Sequence, residues 1–302
     1  MGIGPDDARR NPFLAARLPT LRTLLGGSLP TLSNPRIAAR PANRATPSSR
    51  EAAAFPLDAT LGMDGTPQSG TGQAALFTGT NAAERFGGHF GPWTPVKLRP
   101  LVEEENLLVR ARDRGARPVF ANAYPRGWPG RAGGRRLAAP PLAARAAGVL
   151  TRHEEDLAAG EAVASEIVND GWIRHLGHAG LPRVTAEEAG RNLGRIAAGA
   201  DLTVFAHYST DYAGHRGGMP GAVEALERVD RFLRGVLEAL PADATLLVAS
   251  DHGNVEDVSG GHTRNPVLGV LAGPGAVERS RGLDGITDVA GAVVGWLGSP
   301  DP

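Results

Sequence analysis

Short apolar runs alternate with a helical pattern from residue 201 to the C-terminus. The runs lie at 201–209, 245–250 and 267–273 and read DLTVFAHYS, TLLVAS and VLGVLAG. Between the first two, apolar residues recur with helical spacing from Val223 to Leu240, which predicts an amphipathic helix. Strands that are apolar on both faces and alternate with helices are typical of parallel sheets covered by helices. The pattern predicts an α/β fold, a three-layer α/β/α sandwich around a mostly parallel central sheet.

The rest of the sequence predicts a single domain, residues 1–302, with one small insertion. The chain has 302 residues, and 41% of them are hydrophobic, which is enough for one large core. Residues 125–150 are rich in Pro, Gly and Arg, so an insertion or lid is predicted at about 121–183. Residues 33–53 read as a loop, and Thr185 is predicted to cap a helix that covers residues 184–198.

Charge and cysteine content argue against several classes of protein. Lys plus Arg and Asp plus Glu number 32 each, so bulk charge predicts neither a nucleic-acid nor a membrane partner. The chain has no cysteine, so any metal must bind to nitrogen and oxygen ligands. No apolar run reaches the ~20 residues that span a bilayer. The first residues, MGIGPDDARRNPF, lack the pattern of a secretory signal, so a cytoplasmic location is expected.

Acidic and histidine side chains follow two of the predicted strands. Asp211 and His215 come after the run at 201–209, and Asp251, His252 and His262 come after the run at 245–250. Functional side chains gather at the carboxyl ends of strands in parallel α/β sheets. Two carboxylates and three imidazoles suit divalent ions such as Zn²⁺ or Mn²⁺. The alternative is a polar turn with ordinary hydrogen bonds.

A serine in a glycine-rich turn is the candidate nucleophile. Ser69 stands in SGTGQAALFTG, just before a predicted helix, whose N-terminus favours negative charge. Two divalent ions could ionise this hydroxyl and hold a phosphoryl group during transfer. The alternative is an ordinary turn serine, and Thr71 is a rival hydroxyl in the same turn. Thr71, His89 and Lys97 are the candidates for contact with the substrate.

These motifs resemble those of the alkaline phosphatase superfamily of binuclear metalloenzymes, which includes phosphatases, phosphodiesterases, sulfatases and phosphomutases. The nearest resemblance is to the branch of cofactor-independent phosphoglycerate mutase and phosphopentomutase. In the mutases, ADHGN followed by HT-x-NPV is similar to SDHGNVED and GHTRNPV here, and D-x-x-GH is similar to DYAGH. Ser69 precedes Gly79 by ten residues, which is similar to the nucleophile spacing of the phosphodiesterases and sulfatases. The resemblance covers roughly residues 55–120 and 185–298.

The resemblance implies two divalent ions and assigns their ligands. One ion would be held by Asp211, His215 and His262, and the other by Asp251, His252 and the Ser69 oxygen. Glu256 is expected to orient one of these ligands.

One family ligand has no counterpart in the sequence. In the family the second ion also takes an Asp from a first strand that reads D-G-x-G-x-G, where this chain has MGIGPDD. Either Met1 is an internal residue of a longer chain, which we favour, or the protein has lost a ligand and a strand. A lost strand would leave both of its neighbours unpaired.

The resemblance also implies the chemistry. We expect a metal-dependent phosphatase or phosphodiesterase that acts on a small phosphorylated substrate through a phosphoseryl intermediate. A phosphomutase is the first alternative, although the predicted insertion is short for a domain that holds substrate between turnovers. The second alternative is a non-catalytic relative that binds a phosphorylated ligand.

Overall fold

The computed structural model describes residues 1–40, 50–130 and 136–298. Its strands are β1 (Ile37–Ala39), β2 (Ala52–Leu57), β3 (Pro118–Phe120), β4 (Leu202–Val204), β5 (Leu246–Val248) and β6 (Val267–Ala272). Its α-helices are Pro12–Ala15, Pro19–Leu24, Ser69–Thr78, Ala82–Phe86, Arg99–Glu105, Leu107–Asp113, Ala139–Ala146, Glu154–Ala159, Asp170–His175, Ala186–Ala198, Ser209–Arg216, Gly218–Ala239, Ala276–Arg279 and Ile286–Trp296. Short 3₁₀ turns lie at Val96–Leu98 and Ser280–Gly282.

The described strands form two separate sheets. Strands β1, β2, β6 and β5 lie side by side in that order, and each pairs antiparallel with its neighbour. Strands β3 and β4 form a parallel pair. The α/β class is therefore correct, but the predicted mostly parallel sheet is not confirmed. Apolar periodicity reports which faces of a strand are buried, and it does not distinguish the two strand directions when both faces are covered.

Helices cover both faces of the four-stranded sheet. Phe55 of β2 packs in a hydrophobic cluster with the helix Ser69–Thr78. Its neighbour Ala54 belongs to a different cluster, which includes the helix Gly218–Ala239. Successive side chains of a strand point to opposite faces, so the sheet lies between two layers of helices. The three-layer arrangement holds around this sheet.

Each of β4 and β5 has one edge without a strand partner among the described residues. Strand β4 pairs with β3, and β5 pairs with β6. Both strands are apolar but only partly buried, whereas β6 is buried along its whole length. The ammonium group of Met1 lies beside the end of β5, 2.7 Å from Ser250 Oγ and 3.0 Å from the His252 carbonyl oxygen. Among the described residues, β1 and β3 at the other ends of the two sheets likewise have one unpaired edge.

The interpretation of residues 33–53 as a loop is wrong in part, and residues 41–49 of it lie outside the described ones. Strand β1 falls inside this stretch, and β2 begins at Ala52. The sequence of β2, AAAFPL, carries little strand preference, because alanine and proline are both depleted in strands. Burial between two helix layers, which a local pattern does not report, makes this segment a strand.

The two main predicted helices are present. The Thr185 hydroxyl accepts a hydrogen bond from the Glu188 backbone N–H, and the Glu188 carboxylate accepts one from the Thr185 N–H, so a capping box begins the helix Ala186–Ala198. The amphipathic helix covers Gly218–Ala239 and packs against it. No helix in the described parts of the chain is long and apolar enough to cross a bilayer.

The described part of the predicted insertion, 121–130 and 136–183, contributes to a small hydrophobic cluster of its own. Trp172 and Leu157 are buried in this cluster together with three alanines. Leu142, by contrast, packs into the main core. The segment is thus partly integrated with the rest of the fold, and its assignment as an insertion in a single domain stays a prediction.

Asp230 supplies an N-terminal cap across the fold, and its loss should destabilise the protein. Its carboxylate is buried and accepts hydrogen bonds from the backbone N–H groups of Thr20 and Leu21, at 3.0 and 2.8 Å. We expect Asp230→Ala to lower the free energy of unfolding by about 1–3 kcal/mol, because two buried donors lose their acceptor. Urea denaturation measures this effect. The exposed Asp243→Ala should change it by less than about 0.5 kcal/mol, and equal effects would contradict the assignment.

Candidate metal centre

Ser69 is the first residue of the helix Ser69–Thr78, and close packing brings it to the loop after β5. A Cβ on Gly72 would lie 2.5 Å from the backbone oxygen of Asp251, so this contact requires glycine. The Ser69 Oγ lies 2.9 Å from Nε2 of His252, which is 2% exposed. The predicted turn before a helix is thus the first turn of the helix itself.

Asp251 and His252 follow β5 and share the same corner of the site. Oδ2 of Asp251 lies 3.7 Å from Nε2 of His252. Together with the Ser69 hydroxyl they form one half of the predicted ligand set. The sequence placed these three residues near one ion, and the fold brings them into contact.

The other half comes from the helix Ser209–Arg216 and the loop before β6. Asp211 and His215 are four residues apart on one helix face, with Oδ1 and Nε2 3.6 Å apart. Nε2 of His262 lies 3.4 Å from the same Asp211 oxygen and 2.9 Å from Nε2 of His215. These three residues form the second predicted ligand group.

The two groups meet at one carboxylate oxygen. Oδ1 of Asp211 also lies 3.8 Å from Nε2 of His252, whose ring stacks on that of His262 with centroids 3.8 Å apart. Donor atoms of Asp211, His252 and His262 all lie within 4.8 Å of one another, a spacing that can hold a metal ion. The structure thus brings all six predicted ligands together. Their division between two ions stays a prediction.

Backbone carbonyls orient two of the imidazoles as metal ligands. Nδ1 of His262 lies 2.9 Å from the Pro67 oxygen, and Nδ1 of His252 lies 3.3 Å from the Gly253 oxygen. A carbonyl only accepts, so Nδ1 carries the proton and donates it in both rings. When Nε2 carries no proton, each ring directs the lone pair of Nε2 into the site. The donor set therefore fits divalent metal ions of the Zn²⁺ or Mn²⁺ type.

The site holds Asp211 in its ionised form. Burial would raise the pKa of this carboxyl, but hydrogen bonds with His262 and Asn254 and the nearby charge of His252 keep the pKa far below its usual range. The Asp211 carboxylate is therefore a permanent negative charge at neutral pH. A cation placed among the imidazoles would be attracted to it.

The pKa values of the two stacked imidazoles, His252 and His262, are shifted in opposite directions. Burial lowers the pKa of His252, and the neighbouring His262 adds to this effect. Burial would also lower the pKa of His262, but the hydrogen bond with Asp211 and the one with the Pro67 carbonyl raise it overall. His252 thus loses its proton more readily than an ordinary histidine, while His262 holds its proton more tightly.

An open cavity lies over these residues. Its volume is about 370 Å³, and it is lined by Thr66, Gln68, Ser69, Gly91, Pro92, Asp211, His215 and His262. Most of these lining side chains are polar. The cavity gives a small polar molecule direct access to the Ser69 hydroxyl and to the carboxylate–imidazole cluster.

The three candidates for substrate contact do not line this cavity. Thr71 is fully buried, and its hydroxyl accepts a hydrogen bond from the Phe90 N–H at 3.1 Å, so it joins two segments of the fold. His89 is half-buried beside Gly65, and Lys97 is exposed in a 3₁₀ turn. Their proposed role stays a prediction, and it gains no support from the geometry.

Sequence reasoning missed two cavity residues and one buried amide. Thr66 and Gln68 line the cavity next to Ser69. Asn254 is 1% exposed and donates a hydrogen bond to Asp211. The available signal for Asn254 was its place in SDHGNVED, next to two predicted ligands. Glu256, expected to orient a ligand, is fully buried beneath the same loop.

Metal affinity should depend on pH because a metal must displace the proton of His262. We expect the affinity for Zn²⁺ or Mn²⁺ to fall as the pH drops below the raised pKa of His262, by up to about ten-fold per pH unit for one proton. Above that pKa the affinity should level off. Calorimetric titration in two buffers with different ionisation enthalpies measures both the affinity and the protons released. An affinity unchanged from acidic to neutral pH would contradict this assignment.

Part of the chain is similar to known metalloenzymes. Residues 184–300 match the model of the Metalloenzyme superfamily. The chain is 36% identical over 110 residues to a 2,3-bisphosphoglycerate-independent phosphoglycerate mutase of Desulforudis audaxviator, covering 34% of this chain and 22% of the relative. It is 38% identical over 128 residues to the enzyme of that name from Paracoccus denitrificans, covering 39% of this chain and 25% of the relative.

A solved structure is also similar. The PH0037 protein from Pyrococcus horikoshii superposes with a TM-score of 0.42 and 15% sequence identity, over 64% of this chain and 52% of that protein. The alignments with the mutases span about a quarter of those relatives' length. Together the family model and the mutase relatives confirm the resemblance that the motifs predict.

Proposed function

We propose that this chain belongs to the alkaline phosphatase superfamily and is a phosphoryl-transfer enzyme that uses Ser69 as its nucleophile and two divalent ions as cofactors. One observation carries the proposal. The Ser69 Oγ lies 2.9 Å from Nε2 of His252, inside a cluster of carboxylates and imidazoles and open to a polar cavity. A serine that only shaped a turn would not require this surrounding.

The residues present fit the two ions. Asp211, His215 and His262 would hold one, and Asp251, His252 and the Ser69 oxygen would hold the other. When bound, such ions lower the pKa of a coordinated hydroxyl and neutralise the charge of a phosphoryl group. The choice between Zn²⁺ and Mn²⁺ is part of the proposal.

The chain's own residues then perform the transfer. The Ser69 hydroxyl loses its proton to solvent, and Oγ forms a bond to phosphorus as the bond to the leaving oxygen breaks. The leaving oxygen takes up a proton. Ser69 is the first residue of the helix Ser69–Thr78, so a phosphoryl group bound to Oγ would lie near the helix N-terminus, which favours negative charge. Water then attacks phosphorus, the bond to Oγ breaks, and Ser69 regains its proton.

Hydrolysis is our main proposal for the fate of the phosphoseryl group. The cavity over Ser69 is open, so water has access to it. Its volume of about 370 Å³ and its polar lining suit a small phosphorylated substrate. A cytoplasmic location and the absence of nucleic-acid and membrane partners remain part of this proposal.

A phosphomutase is the second candidate, and the relatives favour it. The similar proteins carry the name phosphoglycerate mutase. The match to the Metalloenzyme superfamily model covers residues 184–300, which include Asp211, Asp251 and His262. In that case the phosphoryl group returns from Ser69 to another oxygen of the substrate, and no inorganic phosphate is released. A binding protein without catalysis is the third candidate.

One experiment separates the three candidates. The purified chain, loaded with Zn²⁺ or Mn²⁺, is incubated with p-nitrophenyl phosphate, bis-p-nitrophenyl phosphate and 3-phosphoglycerate. Release of p-nitrophenol together with phosphate supports the phosphatase, and release from the diester supports a phosphodiesterase. Conversion of 3-phosphoglycerate to its 2-isomer without phosphate release supports the mutase. Metal binding with no turnover of any substrate would favour the binding protein.

A further inference from the structure

We infer that Asn254 is a positioning residue that fixes the Asp211 carboxylate for metal binding, an inference that rests on the proposed metal site. Asn254 is 1% exposed and belongs to the loop that also carries Asp251 and His252. It does not line the cavity and is not one of the proposed ligands. Its side chain nevertheless contacts the one carboxylate that both ligand groups share.

The amide of Asn254 holds Asp211 at two points. Nδ2 donates to Oδ1 of Asp211 at 2.6 Å and lies 3.1 Å from the backbone oxygen of the same residue. An amide nitrogen has two hydrogens, and both are directed to Asp211. The side chain and the backbone of Asp211 are therefore fixed relative to each other. The Asp211 side chain is 39% exposed, so packing alone does not fix its rotamer.

The oxygen held in this way occupies the central position of the site. Oδ1 of Asp211 lies 3.4 Å from Nε2 of His262, 3.6 Å from that of His215 and 3.8 Å from that of His252. A rotation of the carboxylate would change all three distances at once. Carboxylates that bind metals are commonly hydrogen-bonded by a neighbour that sets their orientation. Asn254 is the neutral donor in that place.

The orientation of the Asn254 amide is itself determined by its surroundings. Its Oδ1 is buried and has no hydrogen-bond partner in the described structure, and it faces Gly214. If the amide were flipped, its Oδ1 would face Oδ1 of Asp211, and two hydrogen-bond acceptors would be in contact. A Cβ on Gly214 would lie 2.1 Å from the Asn254 Oδ1, so the glycine between Asp211 and His215 leaves room for this amide. Within DYAGH, Gly214 therefore makes room for the Asn254 amide and is not itself a proposed metal ligand.

Glu256 anchors the loop beneath the amide. Its carboxylate is fully buried and accepts hydrogen bonds from the backbone N–H groups of Asn254 and Gly2, each at 2.7 Å. It also accepts from the Thr263 hydroxyl, next to His262. The backbone of Asn254 is therefore held independently of its side chain. A change confined to the side chain should leave the loop in place and affect chiefly Asp211.

The test compares metal affinity with stability. Affinity for Zn²⁺ and Mn²⁺ is measured by chelator competition, the Co²⁺-loaded protein gives an absorption spectrum, and thermal unfolding of the metal-free protein reports the fold. We expect Asn254→Leu, which removes both donors at similar volume, to weaken metal affinity about 10- to 100-fold and to change the Co²⁺ spectrum. The matched control is Asn169→Leu, a buried asparagine whose amide donates to the Pro182 oxygen. It should lower stability without weakening metal affinity.

A second variant guards against loss of the fold. Gly214→Ala displaces the Asn254 amide without altering any ligand, so it should reproduce the weaker affinity and the changed spectrum. The inference is wrong if the metal affinity of Asn254→Leu is within about two-fold of that of the unaltered chain. If Asn254→Leu does not fold, the same criterion applies to Gly214→Ala. If the unaltered chain binds none of the three ions, the proposed function fails and this inference fails with it. The two failures are therefore distinguishable.

Discussion

We expect Ser69→Ala to lower phosphoryl transfer by at least about a thousand-fold while the chain keeps its fold. Oγ of Ser69 is the proposed attacking atom, and alanine removes it without adding volume. A weak residual rate would come from water, because the other ligands and the helix N-terminus stay in place. The rate with p-nitrophenyl phosphate, or with 3-phosphoglycerate for a mutase, measures the effect.

Mass spectrometry gives a second measurement of the same prediction. Acid quenching during turnover should trap one phosphoryl group on the peptide that contains Ser69, and the alanine variant should show none. Ser280→Ala is the matched control, since this serine is also buried but donates to the Val277 oxygen and belongs neither to the cavity nor to the ligand cluster. A Ser69→Ala variant that kept more than about a tenth of the rate would exclude Ser69 as nucleophile.

The sequence could indicate which residues meet at the candidate site, because each lies in a short local motif. Ser69 lies at the start of a helix, in a glycine-rich stretch of sequence. Asp211 and His215 are four residues apart, which is the spacing of one helix face. Asp251 and His252 directly follow a strand. The positions of such residues can be read from the sequence, because local patterns determine the helices and strands that carry them.

The sheet was harder to predict, for physical reasons. The antiparallel partners of β6 are β2 and β5, and their direction depends on which chain segments meet in the core. Strand β2 itself was hidden because AAAFPL carries no strand signal, and its burial comes from helices distant in sequence. Pair direction and partner choice are tertiary properties, which apolar periodicity does not encode.

The role of Asn254 is likewise a tertiary property, so the sequence alone does not predict it. Its partner Asp211 is 43 residues away, and the contact depends on the room left by Gly214. A sequence shows that an asparagine follows DHG, but it does not show which carboxylate the amide reaches. Glu256 was expected to orient a ligand because it lies close to two of them in sequence. The structure places it under their loop, and its orienting role stays a prediction.

The loss of the Asp211 charge should be the most damaging change to metal binding. We expect Asp211→Asn to weaken the affinity for Zn²⁺ or Mn²⁺ at least about a hundred-fold, since Oδ1 is central to the donor set and its negative charge is lost. The isosteric amide keeps the volume, so the fold should persist. Chelator competition measures the affinity, and Asp284→Asn, an exposed acid paired with Arg36, is the matched control.

The same substitution has an effect that needs no metal. Burial lowers the pKa of His262, and the hydrogen bond with Asp211 is the largest of the contributions that raise it, so Asp211→Asn should bring this pKa down in the metal-free protein. Proton NMR of the His262 ring across a pH series measures the change. If the pKa of His262 falls while metal affinity is unchanged, Asp211 interacts with the imidazole but is not a ligand. If both fall together, the carboxylate that joins the imidazoles in the metal-free site also holds the ion, because both effects depend on the same Oδ1.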